Sequence, residues 1–228
     1  MKRNDLWFGL LVLALFLPFF LSPALYDLYR AFNASHGMVM SFIKFAILST
    51  LGEMLGHRLS TGAYTSPTFG VAPRMVVWGL LGMAINMAMI IFSKGTPLFL
   101  EQMGMSGAVE AFLSPVFSWE KLLVALSVSV AMNTIFAPLF MTFHKVTDAH
   151  IAASGGSLRA LITPIPMAER LASIDWQRQW GFVFKRTIPL FWYPAHTITF
   201  LLAPDYRVLF AALLGVVLGV LLSLSVRR

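Results

Sequence analysis

The sequence contains no cysteine among its 228 residues. Disulfide bonds, thiolate metal sites and a cysteine nucleophile are therefore excluded, and cysteine usage says nothing about the redox compartment. Charged residues are also scarce, at 12% of the chain, against about 25% in an average soluble domain. Such a low share of charge argues against a water-soluble globular protein.

Catalytic and nucleotide-binding motifs are missing as well. The chain has no G-x-S-x-G elbow, P-loop, H-E-x-x-H or G-x-G-x-x-G sequence. Ligand-type residues gather at His144, Asp148 and His150, but the five histidines of the chain are too few for a histidine-rich membrane di-iron site. We therefore expect no enzymatic activity, no metal and no cofactor.

Apolar residues make up 58% of the chain and occur in long runs. A helix needs about 20 mostly apolar residues to cross a bilayer, and this length holds about six such runs. We predict an all-α integral membrane protein with about six transmembrane helices plus one interfacial amphipathic helix. It forms one transmembrane domain over 1–228, in which 1–24 is an extra N-terminal span and 25–228 the main bundle.

The net charge of +7 does not indicate nucleic acid, because the basic residues lie singly or in pairs at the ends of apolar runs. Cytoplasmic loops are enriched in Lys and Arg. With this number of spans, one side receives Lys2, Arg3, Arg58, Arg74, Lys145, Arg159, Arg170, Arg178, Lys185, Arg186, Arg227 and Arg228. The other receives Arg30, Lys94, Lys121 and Arg207. We therefore predict that both termini and the connection 144–179 are cytoplasmic.

The N-terminal segment has two interpretations. Residues 1–5 are charged and 6–21 are apolar, as in a signal peptide, and Ser22-Pro23-Ala24 resembles a cleavage site. However, the apolar run continues through Leu25 and Leu28, and further membrane segments follow instead of a secreted domain. We favour an uncleaved first span.

The later spans are predicted at 37–59, 75–92, 121–143, 188–203 and 206–226, of which the fifth is short and contains proline. A stretch rich in turn-forming residues, 60–73, separates the second span from the third. The stretch 98–117 carries Glu101 and Glu110 among apolar residues, so we expect it to lie along the interface.

Pairs of small residues four apart occur in two spans, Gly52 with Gly56 and Gly215 with Gly219. In lipid, such pairs allow two helix backbones to approach closely. We interpret these glycines as helix-packing positions.

Polar residues within spans are costly and by default face the bundle interior or a water-filled path. The candidates are Glu53, His57, Asn86, Asn133, His196 and Thr199. Glu53 and His57 share a helix face and can pair as a titratable unit, whose role is either functional or structural. For Asn86 and Asn133, interhelical hydrogen bonding is favoured.

The fifth span carries Pro189 and Pro194, which lack an N–H and leave upstream carbonyls without their usual helical partner. In hydrocarbon these carbonyls must be satisfied by protein or water. We predict that His196 faces the polar interior. The alternative is that the prolines only shape the helix and His196 holds a neighbour by a hydrogen bond.

The C-terminal part has a specific order: Trp192-Tyr193-Pro194, His196, Phe200, Pro204 and Arg207 before an apolar helix. This order resembles the signature of the Mpv-seventeen and peroxisomal membrane protein family. Further similar pieces are Gly52-Glu53, Arg74 leading into Gly79-Leu80-Leu81, and Asn133 ahead of Phe136-Ala137-Pro138. The resemblance covers about 25–228.

Several polar positions depart from the family pattern, among them Met132, His196 and Thr199. Such departures are expected of a distant, bacterial member of the family. The resemblance therefore implies that the protein lies in the bacterial cytoplasmic membrane. The resemblance also implies a weakly selective pore or an effect on the passage of small molecules.

Our leading functional hypothesis is a channel-like or transport-related membrane protein, since the candidate polar residues can line one track. A membrane scaffold without transport and a substrate-capturing subunit of a larger transporter are the alternatives. The expected partners are the lipid bilayer and a small solute or ion. The sequence does not identify the solute, and it leaves open whether the protein forms a homo-oligomer.

Overall fold

The computed structural model describes residues 3–225 and the side chains of residues 3–217. All regular secondary structure in this range is helical, which confirms the predicted all-α class. The α-helices are α1 (Arg3–Leu21), α2 (Pro23–Ser35), α3 (Gly37–Thr61), α4 (Val71–Gln102), α5 (Ala108–Leu113), α6 (Trp119–Ala153), α7 (Met167–Ala172), α8 (Trp176–Arg178), α9 (Tyr193–Leu201) and α10 (Pro204–Ser225). A 3-10 turn, Leu158–Leu161, and a π-helix, Gln179–Trp192, complete the described chain.

Four helices, α1, α3, α4 and α6, are long and apolar enough to cross a bilayer. They support the prediction of a transmembrane protein. At the predicted fifth span, 188–203, the chain forms the end of the π-helix and then α9, which has only 9 residues. At the sixth, α10 runs for 22 residues, but its last turns lie beyond the described side chains. A total of six spans therefore stays a prediction.

The chain divides into two compact units, Met1–Met40 and Ser41–Arg228. In the first unit, no residue of α1 is buried, and Trp7 and Phe20 are 63% and 83% exposed. Ser22 ends this helix and caps the next, since its hydroxyl accepts the N–H of Leu25 at 3.3 Å. The apolar, exposed surface of α1 is suited to lipid.

In the second unit, α6 packs against α4, α5 and α9. Val124, Ala125 and Val128 on α6 are fully buried, as is Phe200 on α9. These side chains form the apolar core that holds the polar groups of the same helices in place. In lipid, such side chains stabilise the bundle through close van der Waals packing.

Two glycines of α4 set its close packing on α3. A Cβ added to Gly79 would lie 2.4 Å from the ring of Phe42, and one added to Gly82 would lie 2.4 Å from Phe45 Cβ. A larger residue at Gly79 would displace the Phe42 ring, and one at Gly82 would require α3 itself to move. These glycines were not among the predicted packing positions.

The surroundings of two predicted packing glycines are described, and of these Gly52 makes the tighter contact. A Cβ on Gly52 would lie 3.0 Å from the Cα of Val216 on α10. Gly215 lies near Ser49, whose hydroxyl would be 4.0 Å from an added Cβ. Gly56 is half-buried on α3, and Gly219 lies outside the residues whose surroundings are described.

The helix that carries the predicted third span does not end near residue 92, because α4 continues through Pro97 to Gln102. Pro97 is fully buried, so its packing outweighs the helical hydrogen bond that a proline removes. The predicted interfacial helix over 98–117 is wrong as a single element. Residues 98–102 instead form the last turn of α4, and α5 follows after a short connection. The two helices are linked by a hydrogen bond, in which the N–H of Val109 donates to a Glu101 carboxylate oxygen at 3.0 Å.

The helix that carries the predicted fourth span is also longer than that span. It was expected to end at residue 143, but α6 continues to Ala153. Nothing in 144–150 breaks a helix, and the termination comes at Gly155 and Gly156, whose φ values are +65° and +69°. His144 and Asp148 therefore belong to a long helix of the bundle and not to a polar loop.

Candidate functional site

Arg74 lies at the centre of a buried ionic cluster, which we define as Glu53, Arg74, His144 and Asp148. Its Nη1 donates to Glu53 Oε2 at 2.5 Å and to Asp148 Oδ1 at 2.6 Å. One guanidinium thereby joins three candidate membrane-spanning helices, α3, α4 and α6. These side chains are only 12–21% exposed.

The position of Arg74 is set by Phe69, which lies just before α4. The Nε of Arg74 donates to the carbonyl of Phe69 at 2.6 Å, and its guanidinium lies 4.5 Å from the centre of the Phe69 ring. The backbone here is held by Gly70 (φ +67°), where an added Cβ would lie 2.9 Å from Gly156 Cα. The loop before α4 and the loop after α6 therefore pack tightly beside the cluster.

His144 lies between the two carboxylates of the cluster. Its Nε2 is 3.0 Å from Glu53 Oε1 and 3.6 Å from Asp148 Oδ1. This buried nitrogen has no aligned hydrogen bond within the described chain. On the other side, the ring of His144 packs against Trp78, with 4.4 Å between ring centres.

The expected pairing of Glu53 with His57 is wrong. The Nδ1 of His57 lies 2.6 Å from the carbonyl of Ala63 and 3.0 Å from the hydroxyl of Thr61, in the turn that follows α3. Glu53 instead pairs with Arg74 and His144. An arginine is always charged and offers several donors, so it is the stronger partner for a buried carboxylate.

Three members of the ionic cluster, Glu53, His144 and Asp148, each present a ligand atom within 4.8 Å of the others. This set has the chemistry to hold a divalent cation. However, Arg74 already places a positive charge within 2.6 Å of both carboxylates. A cation would have to displace the guanidinium, so the cluster is built as an ion pair network around a fixed side-chain cation.

A second group of polar residues joins α6 to α9, and we define this amide–imidazole cluster as Ser129, Asn133, Tyr193 and His196. Asn133 Nδ2 lies 2.8 Å from the carbonyl of Ser129 and 3.0 Å from His196 Nδ1. The hydroxyl of Ser129 donates to the carbonyl of Tyr193 at 2.8 Å. His196 Nδ1 also lies 3.1 Å from Asn133 Oδ1, so Asn133 donates to Nδ1 when the imidazole proton is on Nε2 and accepts from Nδ1 when the proton is there.

Aromatic rings enclose the His196 imidazole. The ring of Trp192 lies 5.0 Å away and that of Phe200 lies 6.4 Å away, centre to centre. The interhelical hydrogen bonding expected for Asn133 is thus present, with His196 as its partner.

The remaining candidates lie outside both clusters. Thr199 is fully buried and donates to the carbonyl of Ala195 on its own helix at 3.0 Å. Asn86 is buried on α4. Lys44, which was not among the candidates, is buried on α3 and interacts electrostatically with Asp205 at the start of α10.

The two clusters lie on the same face of α6. Successive residues turn by about 100°, so Ser129, Asn133, His144 and Asp148 fall within a sector of about 100°. Asn133 and His144 are separated by about 16 Å along the axis. Between them, Ala137 is buried, and Phe140 lies 6.3 Å from Trp78 across the interface with α4, ring centre to ring centre.

Three cluster residues, Arg74, His144 and Asp148, were not among the predicted site residues. Arg74 was interpreted as a topology signal and as part of the family resemblance, and the other two were placed in a polar connection. Their four-residue spacing could have indicated a shared helix face. To place these two residues in the bundle, the helix of the fourth span would have had to be predicted ten residues longer.

The long apolar helices and the buried polar groups between them define a helical protein of the transmembrane type. No family model, curated protein or solved structure matches this chain.

Proposed function

We propose that this protein is a channel-like or transport-related membrane protein that passes small polar solutes or ions. The observation that carries the proposal is the arrangement along α6, where two polar clusters share one face. A polar group in a membrane bundle is costly unless it is paired or used. Two sites at different depths provide successive positions for a polar solute.

The side chains between the two clusters are apolar and aromatic, as in a hydrophobic gate. Ala137 and Phe140 of α6 occupy the face between Asn133 and His144, and Trp78 of α4 lies opposite Phe140. Hydrophobic constrictions close pores by excluding water. In this proposal, Trp78 and Phe140 close the path, and their displacement opens it.

Unpartnered donors at both clusters support the same proposal. The indole N–H of Trp78, beside His144, has no hydrogen-bond partner within the described chain. The same holds for the indole N–H of Trp192, beside His196. Buried N–H groups normally have a hydrogen-bond acceptor. These two indoles are therefore free to donate to water or to a polar solute.

The resemblance to the Mpv-seventeen family points in the same direction, since that family is described as forming weakly selective pores. Within the proposal, both termini are cytoplasmic in a bacterial inner membrane. The ionic cluster then lies at the cytoplasmic end, where α3 ends, α4 begins and α6 ends.

The second candidate is a scaffold that moves no solute. It is favoured by the ionic cluster itself, because Arg74 satisfies Glu53 and Asp148 together. In that case the charges only join helices.

The test is a flux assay with the purified protein in liposomes, using ions and small neutral solutes. We expect flux above that of empty vesicles, and a several-fold increase for Trp78→Ala because the constriction is widened. The matched control is Trp119→Ala, since Trp119 is 76% exposed at the start of α6 and should leave flux unchanged.

Melting temperatures of both variants show whether the bundle is intact. Absence of flux for the wild type and for Trp78→Ala, over a range of pH and membrane potential, would support the scaffold. Tight solute binding without flux would instead identify a substrate-capturing subunit.

A further inference from the structure

The π-helix and the short α8 before it carry a basic cleft on the surface of the second unit. The cleft is open, has a volume of ≈ 410 Å³ and is lined by Asp175, Gln177, Arg178, Gly181, Phe182 and Arg186. We propose that this basic cleft binds the phosphate headgroup of an anionic phospholipid.

Both guanidinium groups of the cleft are available for an anion. Arg178 and Arg186 are exposed, and neither forms an ion pair with a carboxylate in the part of the chain that the structure describes. The one acidic residue of the lining, Asp175, accepts the backbone N–H of Arg178 at 3.0 Å as a helix cap. Two arginines can bind a phosphate through several charge-assisted hydrogen bonds.

The cleft also has room for a headgroup. Gly181 lies in its wall, and a Cβ added there would meet no atom within 4 Å. Phe182 supplies an apolar wall and is 37% exposed. Because the cleft is open on one side, a lipid could place its phosphate inside while its acyl chains remain in the bilayer.

The surroundings of the cleft favour a lipid over a free anion. Trp176 and Trp180 are next in sequence to residues of the lining and are 43% and 58% exposed, and Leu190 further along the π-helix is 76% exposed. Aromatic residues beside arginines are typical of the membrane–water interface. Free phosphate would need the guanidinium groups but would gain nothing from the exposed apolar side chains.

The predicted topology is consistent with this ligand. The positive-inside partition puts 144–179 and the basic cleft on the cytoplasmic side, and anionic lipids of that leaflet attract basic juxtamembrane segments. This inference does not depend on transport, because a scaffold would present the same surface.

The experiment measures binding of phosphatidylglycerol to the full chain by native mass spectrometry, with thermal unfolding as a second readout. We expect the wild type to retain phosphatidylglycerol at physiological salt and to be stabilised by it, relative to phosphatidylcholine. Arg178→Gln combined with Arg186→Gln should weaken binding by about tenfold or more. The matched control is Lys185→Gln, because Lys185 is exposed on the same helix but does not line the cleft.

A second variant, Gly181→Leu, tests the cleft without altering its charge and should also weaken binding, since it fills the open space. Binding by the double variant equal to that of the wild type would refute the proposal. The same loss in Lys185→Gln would also overturn it, by showing diffuse attraction. Inorganic phosphate that stabilises the wild type as well as the lipid does would overturn the lipid assignment.

Discussion

Arg74 and Glu53 are joined by a contact of 2.5 Å between Nη1 and Oε2, although they are 21 residues apart and belong to different helices. The same nitrogen reaches Asp148, which is 74 residues further along the chain. One arginine therefore pairs with two carboxylates in a mainly apolar bundle. Removing it leaves the two buried carboxylates close together, with His144 as their remaining partner.

Arg74→Gln should lower the free energy of unfolding by about 3 kcal/mol, because breaking a buried pair leaves uncompensated charge. Thermal or chemical unfolding in detergent measures the loss. Adding Glu53→Gln to this variant should recover part of the stability, since one of the two unpaired charges is then removed.

The control for this prediction is Glu169→Gln. Glu169 contacts Arg170 at 3.2 Å, but its side chain is 68% exposed. An exposed pair contributes about 0–1 kcal/mol. A cost for Arg74→Gln as small as that of the control would show that the ionic cluster is not an important stabilising contact.

Gly82→Ala should destabilise the bundle by about 1–3 kcal/mol, the usual cost of overpacking. The added methyl group would lie 2.4 Å from Phe45 Cβ, which is bound to the backbone and cannot rotate away. Unfolding measurements in detergent test this prediction.

Gly95→Ala is the matched control on the same helix. A Cβ at Gly95 would meet nothing within 4 Å, so alanine should stabilise α4 by about 0.5–1 kcal/mol. Equal effects of the two substitutions would contradict the packing of α4 on α3.

His196→Leu should cost about 1–3 kcal/mol, because Asn133 then loses a partner in a buried site. Replacing both residues by leucine should cost less than the sum of the single changes, since no polar group is left unpaired. Unfolding of the four proteins gives the coupling energy, and strict additivity would refute a direct contact.

The same His196→Leu variant has a functional readout. If His196 lines the path, flux should fall when the imidazole is replaced by an apolar side chain. Flux that keeps its rate while stability falls would make His196 a structural contact.

Membrane topology is open to a labelling test, because the chain has no cysteine of its own. Ser157→Cys lies in an exposed loop after α6 and should react with an impermeant maleimide only when cells are opened. Met103→Cys, after α4 at a position that is 70% exposed, should react in intact cells. Labelling of Ser157→Cys from outside would refute the predicted orientation.

Local signals in the sequence were sufficient for several features. The scarcity of charge and the long apolar runs predicted an all-helical chain with long apolar helices, and the span at 37–59 lies within α3. The buried polar character of Asn133 and His196 was also predictable, because each stands alone in an apolar run. Such features depend on residues that are neighbours in sequence.

The tertiary structure decided the rest. It paired Glu53 with Arg74 and not with His57, carried α4 through the buried Pro97, and extended α6 so that His144 and Asp148 entered the bundle. These outcomes depend on contacts between residues far apart in the chain, which helical periodicity does not contain. Composition therefore determined the kind of helix that forms, whereas packing between α3, α4 and α6 determined which polar groups meet.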